Sequence, residues 1–313
     1  MQVYFAPLEG ITDSIYRKLH HKYFPGVDRY FTPFFSPTVH RSLTPKESRE
    51  LPYADSISYR AVPQLLTKVP EDFLWMAQQC KDRGYDEVNL NLGCPSGTVT
   101  AKGKGSGMLR DLDALERFLD TIYTAPPCGI SIKTRIGFSD PSEFPALLDI
   151  FNKYPAKELT IHPRVRTVFY NGNVDMESFR YAAENSHNTL CFNGDIYDIS
   201  QLSNIKDCFP AVDSVMIGRG LIADPGMVTG STTAQLLESF TDELLDAYIE
   251  AFGGARNAIF RMKEHWRYLV CKFDTSEKLL KQLRKTTDVG EFRSITHTIL
   301  RECPIREISA HNW

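Results

Sequence analysis

A chain of 313 residues with 42% hydrophobic content can bury one large domain with a smaller companion. Its formal net charge of -3 argues against a uniformly basic nucleic-acid binder but leaves local patches open. No run of about 18 uncharged apolar residues occurs, and the first residues lack a charged segment followed by an apolar one, so neither a membrane span nor a secretory leader is expected.

From residue 2 to about 220, short apolar runs alternate with longer helical patterns. Residues 2–6 read as a first strand, followed by a helix capped by Thr12 or Asp13 and running to 23. Residues 29–32 form a weak second strand, and 34–59, with Pro37 and Pro45, a long loop with a helical turn. A third strand over 60–66 is interrupted by Pro63. Pro70 suits the first turn of the next helix and Gly84 its exit; Phe73, Met76, Ala77 and Cys80 make one apolar stripe along it. The fourth strand is 87–91. Asp111 opens a helix with Leu112, Leu115, Phe118, Leu119 and Ile122 inward. Strands at 129–134, 158–162, 189–193 and 213–218 alternate with helices at 145–151, 175–184 and 199–205. Eight strands with intervening helices over about 220 residues is the rhythm of a closed parallel (β/α)8 TIM barrel. A doubly wound open sheet would carry a glycine-rich fingerprint after its first strand, and Ala6-Pro-Leu-Glu-Gly10 is none.

Beyond about residue 232 the strand pattern stops, and four helices are expected over 236–252, 255–272, 276–285 and 290–301, giving a barrel domain over 1–235 and an all-helical one over 236–313. Residues 256–301 hold 11 Lys/Arg and 5 Asp/Glu, a local charge of +6 that leaves -9 for the remainder. A basic helical tail on an acidic barrel reads as a nucleic-acid grip or as solvated Lys/Arg faces; charge alone leaves the two even. The seven cysteines are scattered with no C-x-x-C pair, so no metal site and no disulfide framework is expected, and a reducing cytoplasm fits.

Barrel enzymes place their chemistry where strands end. Here those ends carry Pro7-Leu8-Glu9, Gln64, Asn91, Cys94, Lys133 and Arg135, His162 to Arg166, Asn193-Gly194-Asp195 and Gly218-Arg219. Each alone has a structural explanation, such as a satisfied core histidine at His162; together they converge on one mouth. Asn193-Gly194 and Gly218-Arg219 follow strands seven and eight, where barrels commonly bind phosphate. Cys94 follows a strand and precedes the segment 96–108, whose Gly97, Gly103, Gly105 and Gly107, with Lys102 and Lys104, read as a flexible basic flap bordered by Arg110. A buried core thiol is the alternative. Lys133 suits either a Schiff base with a lowered pKa or a cation beside an electron-rich ring; spacing alone does not choose.

Taken together, Ala6-Pro-Leu-Glu-Gly-Ile-Thr-Asp13, Asn89-Leu-Asn-Leu-Gly-Cys-Pro95, Lys133-Thr-Arg-Ile-Gly137, His162-Pro-Arg-Val-Arg166, Asn193-Gly-Asp195 and Ile217-Gly-Arg-Gly220 resemble the dihydrouridine synthase family. The likeness covers the barrel well and the final helices in outline. Pro163 departs from it, since many relatives have glycine after the histidine. The resemblance implies a barrel holding flavin mononucleotide (FMN), reduced by NADPH or NADH, and a helical domain that helps hold tRNA, in a chain expected to be monomeric. It implies that Pro7, Leu8, Glu9, Gln64, Lys133 and His162 lie against the flavin, and that Asn193, Gly194, Asp195, Gly218 and Arg219 bind its phosphate. Phe169 and Tyr170 read either as core aromatics or as support for a flipped base; by the resemblance, Asn91, Arg135 and Arg166 would face flavin or uracil, and Cys94 would protonate C5 of the uracil. A thiol suits that last role because, with an ordinary pKa of about 8.5, it is mostly protonated at neutral pH where a carboxyl group is ionised. An FMN-dependent small-molecule enone reductase, a Schiff-base aldolase and a non-catalytic RNA-binding protein are the rival readings.

Overall fold

The computed structural model describes residues 1–37, 40–306 and 308. The chain divides into two compact units, one of Met1–Pro7, Asp28–Asp195 and Asn204–Met216, the other of Leu8–Val27, Ile196–Ser203 and residues from Ile217 onward.

The first unit is built on parallel strands β1 (Gln2–Phe5), β2 (Arg29–Phe31), β3 (Ala61–Val62), β4 (Gln64–Leu65), β5 (Glu87–Leu92), β6 (Gly129–Gly137), β7 (Leu159–Val165), β8 (Leu190–Asn193) and β9 (Ser214–Ile217). Their order is β3-β2-β1-β9-β8-β7-β6-β5-β4. The two edges of that order are one strand cut at Pro63. Val62 O still accepts from Thr32 N, and Pro63 O from Asn89 N, so the strand pairs β2 with its first half and β5 with its second. Proline cannot donate to a ladder, and here it splits a strand without opening the sheet. The result is an eight-stranded closed barrel.

The helices flanking this sheet follow their sequence signals. After α1 (Ser14–Tyr23, in the second unit) come α2 (Pro45–Glu50), α3 (Pro70–Asp82), a short α4 (Gly97–Thr100), α5 (Leu112–Thr124), α6 (Phe144–Phe151), α7 (Met176–Asn185) and α8 (Ile199–Cys208). Asp13, Asp111 and Asp175 cap α1, α5 and α7 by accepting from backbone N–H groups. In α5 Leu115, Phe118, Leu119 and Ile122 are buried as expected, but Leu112 is 36% exposed. It is the first helical residue, and its Cβ tilts back beyond the cap.

Strand residues alternate between two buried environments. Val88, Leu90, Leu92, Ile130, Ile132, Leu159 and Ile161 are apolar, while Asn89, Asn91, Ser131, Arg135, Thr160 and His162 between them are polar and equally buried. Period-two alternation thus sorts apolar groups toward the helices and polar groups into the barrel lumen. Deep in the lumen Glu158 Oε1 accepts from Tyr4 OH (3.1 Å) and Ser214 Oγ (2.7 Å), and burial raises this carboxyl's pKa.

The second unit contains α9 (Arg219–Ala223), α10 (Ala234–Phe252), α11 (Ala255–Leu269), α12 (Glu277–Lys285) and α13 (Val289–Glu302). Leu237, Phe240, Leu244, Leu245 and Tyr248 of α10 are buried, as are Ile259, Met262 and Trp266 of α11 and Phe292, Ile295 and Ile299 of α13. α12 buries only Leu283. Gly253, at φ +65°, ends α10 in the left-handed cap that glycine adopts without strain. Among the described residues no helix is long and apolar enough to cross a membrane.

Candidate active site

The strand β5 ends in a chain of side-chain amides. Asn91 Oδ1 accepts the backbone N–H of Gly93 (3.0 Å) and of Cys94 (2.9 Å). Its Nδ2 must therefore face away, and it donates to Gln64 Oε1 at 2.7 Å. Gln64 Nε2 then donates to Asn89 Oδ1 (2.8 Å), and Asn89 Nδ2 to Ser131 Oγ (3.0 Å). One backbone turn thus orients three amides across β4, β5 and β6.

The same turn is held at each of its carbonyls. Arg135 Nε donates to Gly93 O (2.9 Å), and Arg166 Nε to Pro95 O (3.1 Å). Cys94 O accepts from Ser106 twice, from Oγ at 2.8 Å and from N at 3.2 Å. Cys94 is half-buried and outside any disulfide. Its thiol therefore sits on a rigid lip at the barrel mouth, which settles against a wholly buried core cysteine.

The segment after the lip differs from the flexible flap expected of its glycines. It folds into α4 and a 3-10 turn over Gly105–Arg110, in which Gly105 to Leu109 are buried. Gly107 is required by proximity: a Cβ there would lie 2.8 Å from Thr100 O. Gly105 adopts φ +57° beside Cys94. Lys104 Nζ donates to Ser36 Oγ (3.0 Å), Arg110 donates to the Thr100 and Gly107 carbonyls, and Lys102 is exposed. The basic residues of this segment are thus partly structural.

Lys133 is paired in register with Asn91 across β5 and β6, and Arg135 with His162 across β6 and β7. Burial, and then the neighbouring Arg135 charge, lower the Lys133 pKa to about 8. The folded chain therefore binds this proton less tightly than the unfolded chain, where lysine titrates near 10.5. Below about pH 8 both states are protonated and the penalty is complete; stability recovers as pH rises from about 8 toward 10.5. Lys133→Met should be the more stable form of the ligand-free protein at pH 7, by up to about 3 kcal/mol, with the gap closing by pH 10.5. Urea unfolding at both pH values measures this; a pH-independent gap would show that Lys133 is not desolvated.

His162 and Arg164 lie two apart, because β7 runs through Val165 rather than ending near His162 as expected. Arg164 Nη1 lies 3.1 Å from His162 Nε2. Arginine only donates, so Nε2 accepts and the imidazole is neutral with its proton on Nδ1. Arg164 also pairs with both carboxylate oxygens of Asp195 and donates to Gly172 O. Asp195 is thus matched to a buried guanidinium. The sequence places Arg164 in this strand-end motif without assigning it a partner, although His162, Arg164 and Arg166 keep the period of an extended strand. The parts played by Thr100, Ser106, Asn89 and Ser131 have no sequence signal, since hydroxyls and amides carry no spacing of their own.

Arg135 meets burial on most sides, which lowers its pKa to about 10. Its guanidinium reaches Val165 O (2.9 Å) and lies 5.3 Å from the Tyr170 ring. Arg166 lies between Phe138 (5.3 Å) and Phe169 (5.0 Å). Phe169 holds φ +53°, and Phe169 and Tyr170 are 40% and 53% exposed. A non-glycine residue in that conformation costs about 1 kcal/mol or more, and it turns two aromatic rings outward beside the lip. Asn193, at the end of β8, donates from Nδ2 to Met216 O at 2.6 Å; Gly194 follows it and packs on the Phe192 ring. Pro7 is half-buried after β1.

The remaining predicted residues belong to the second unit. Leu8 closes a tight turn, its O accepting from Ile11 N and Thr12 N (both 3.0 Å), and Glu9 is exposed. Gly218 precedes α9, and Arg219 Nη2 donates to Tyr197 OH at 2.8 Å.

The profile described as Dihydrouridine synthase (Dus) matches residues 4–296. The probable tRNA-dihydrouridine synthase 1 of Synechocystis sp. is 26% identical over 309 residues, covering 93% of this chain and 84% of that protein. The tRNA-dihydrouridine synthase B of Proteus vulgaris is 26% identical over 280 residues, covering 83% of this chain and 85% of that protein. Among solved structures, morphinone reductase aligns with a TM-score of 0.49 at 13% identity, over 73% of this chain and 84% of that one. With its barrel, its Cys94 lip and a family match spanning nearly the whole sequence, this chain belongs to the dihydrouridine synthase family and is an oxidoreductase.

Proposed function

We propose that this protein is an FMN-dependent tRNA-dihydrouridine synthase, which reduces the C5=C6 bond of chosen tRNA uridines with NADPH or NADH as reductant. Residues 1–235 act as the catalytic domain and 236–313 as the RNA-binding one, in a monomeric cytoplasmic enzyme. The observation that carries the reading is the rigid Cys94 lip on β5, whose Asn91 is paired in register with the half-buried Lys133 of β6.

The residues fit a flavin. Lys133 is a desolvated ammonium, and among the described residues it forms no ion pair with a carboxylate. An electron-rich ring that gains negative charge on reduction supplies the missing counterpart. Gln64 and Asn91 present oriented amides beside it, and His162, Pro7, Leu8 and Glu9 complete the cofactor contacts. Asn193, Gly194, Asp195, Gly218 and Arg219 hold the phosphate, with Asp195 acting through its backbone because Arg164 takes its carboxylate.

A bound flavin supplies the hydride for C6 of the uracil. Negative charge then develops toward C5 and O4, where Arg135 and Arg166 lower its energy. The Cys94 thiol holds the proton for C5, and its fixed backbone sets the direction of transfer. Tyr170, exposed over Arg135, supports a uridine withdrawn from its stack.

The test is direct. The purified protein should show flavin absorbance, or take up FMN, and should form dihydrouridine in unmodified tRNA with NADPH, detected by nucleoside mass spectrometry. A protein that binds no flavin would end the reading. One that reduces small enones but never tRNA would shift it to the small-molecule reductase.

A further inference from the structure

The charge of +6 over residues 256–301 is not spread evenly in the second unit. Lys272 pairs with Asp224, Arg293 with Asp242 and Asp246, and Arg301 with Glu238. Arg261 lies 3.9 Å from Asp13. These four cations face acidic groups on other elements of the same unit. The other seven all lie on α11 and α12: Arg256, Lys263, Arg267, Lys278, Lys281, Arg284 and Lys285. Among the described residues, only Arg284 of these meets a carboxylate, that of exposed Glu277 at 3.7 Å. Lys263 joins the two helices by donating to Arg284 O at 2.9 Å. The tertiary structure thus neutralises those four cations and leaves the others on two helices joined at Lys263 and Arg284.

At the α10–α11 turn, α11 borders an open cleft of about 480 Å³, lined by Phe252, Asn257, Phe260, Arg261 and Glu264. Phe252 and Phe260 are 39% and 46% exposed, unusual for rings on a charged face. Arg256 and Lys263 lie 5.8 and 5.3 Å from the Phe260 ring. Asn257 presents an amide with both a donor and an acceptor, and Glu264 an acceptor.

We propose that this cleft is a second nucleobase site, outside the barrel, which stacks one unpaired base of the RNA on Phe260 while the α11–α12 cations follow the adjoining phosphates. The inference rests on the reading of the substrate as tRNA. The charge decides the class of occupant: seven cations against Glu264 and Glu277 on this face suit a polyanion. The aromatic ring decides the mode, because a phosphate track needs no exposed phenyl group, whereas an unstacked base does. Asn257 and Glu264 reach the edge of such a base. A site of this kind would orient the RNA and so bear on which uridine is presented.

Phe260 is exposed, so Phe260→Ala leaves the fold intact, and Phe260→Trp keeps a stacking surface. The probe is an unmodified tRNA transcript, titrated by fluorescence anisotropy at several salt concentrations, with dihydrouridine formation measured in parallel. Phe260→Ala should weaken binding about 5- to 100-fold and raise the apparent KM with kcat little changed. The slope of affinity against salt should stay the same, and Phe260→Trp should restore affinity. Lys278→Ala with Lys281→Ala should instead flatten the salt slope. If wild type reduces tRNA and Phe260→Ala binds it equally well, the base site is wrong while the enzyme reading stands. If self-association is lost in Phe260→Ala with RNA affinity intact, the cleft belongs to a second copy of the chain and the proposal is overturned. If wild type neither binds nor reduces tRNA, the reading beneath it has failed first.

Discussion

Replacing Cys94 by alanine is expected to slow uridine reduction by roughly 10²- to 10⁴-fold while flavin binding is retained. The backbone of the lip is secured by Asn91, Arg135, Ser106 and Arg166 through main-chain groups alone. Removing the thiol therefore deletes the proton source and leaves its surroundings in place. Single-turnover reduction of tRNA by the pre-reduced enzyme isolates this step, and the flavin spectrum checks occupancy. Cys94→Ser should be similarly slow at neutral pH, since a hydroxyl is a much weaker acid than a thiol. Full activity in Cys94→Ala at every pH would remove the thiol from the mechanism.

The second large effect is expected at Asn91. Asn91→Ala leaves the Gly93 and Cys94 N–H groups and Gln64 Oε1 without their partner at once. Each buried polar group left unpaired costs about 1–3 kcal/mol, so a loss of roughly 3–5 kcal/mol is expected, partly relieved by water entering the mouth. The orientation of Gln64, and through it Asn89, is no longer dictated, so flavin affinity should fall together with stability. Asn91→Asp should be milder, because it keeps the acceptor for the two N–H groups and a reversed Gln64 amide can donate to its second oxygen. Thermal unfolding and FMN titration of both variants measure the difference. Equal behaviour of the two would show that the amide chain does not orient the site.

Glycines misled where cysteine and proline informed. The four glycines between Ser96 and Met108 read as slack, yet Gly105 is held at φ +57° against Cys94, and Gly107 lies too close to Thr100 for a side chain. A glycine forced by close approach and a glycine free to move look identical in sequence. Pro63 was legible as an interruption, but only the pairing of both halves showed that the barrel still closes. The apolar run places a strand end at His162; β7 in fact continues through Pro163 to Val165, and the extra residues bring Arg164 onto Asp195.

Local order determined a good deal: caps at Asp13, Asp111 and Asp175, the apolar stripes of α3 and α5, and eight strand positions follow from short-range spacing. The residue types at the strand ends, Asn91, Cys94, Lys133, Arg135 and His162, were likewise visible, because a parallel barrel brings every strand end to one rim. Partnership was decided only by the tertiary structure. Whether a cation is neutralised depends on which carboxylate the fold carries to it across tens or hundreds of residues, as with Arg164 and Asp195 or Lys272 and Asp224. Coulombic and hydrogen-bond energies depend on distance in space, and a linear sequence does not contain that distance.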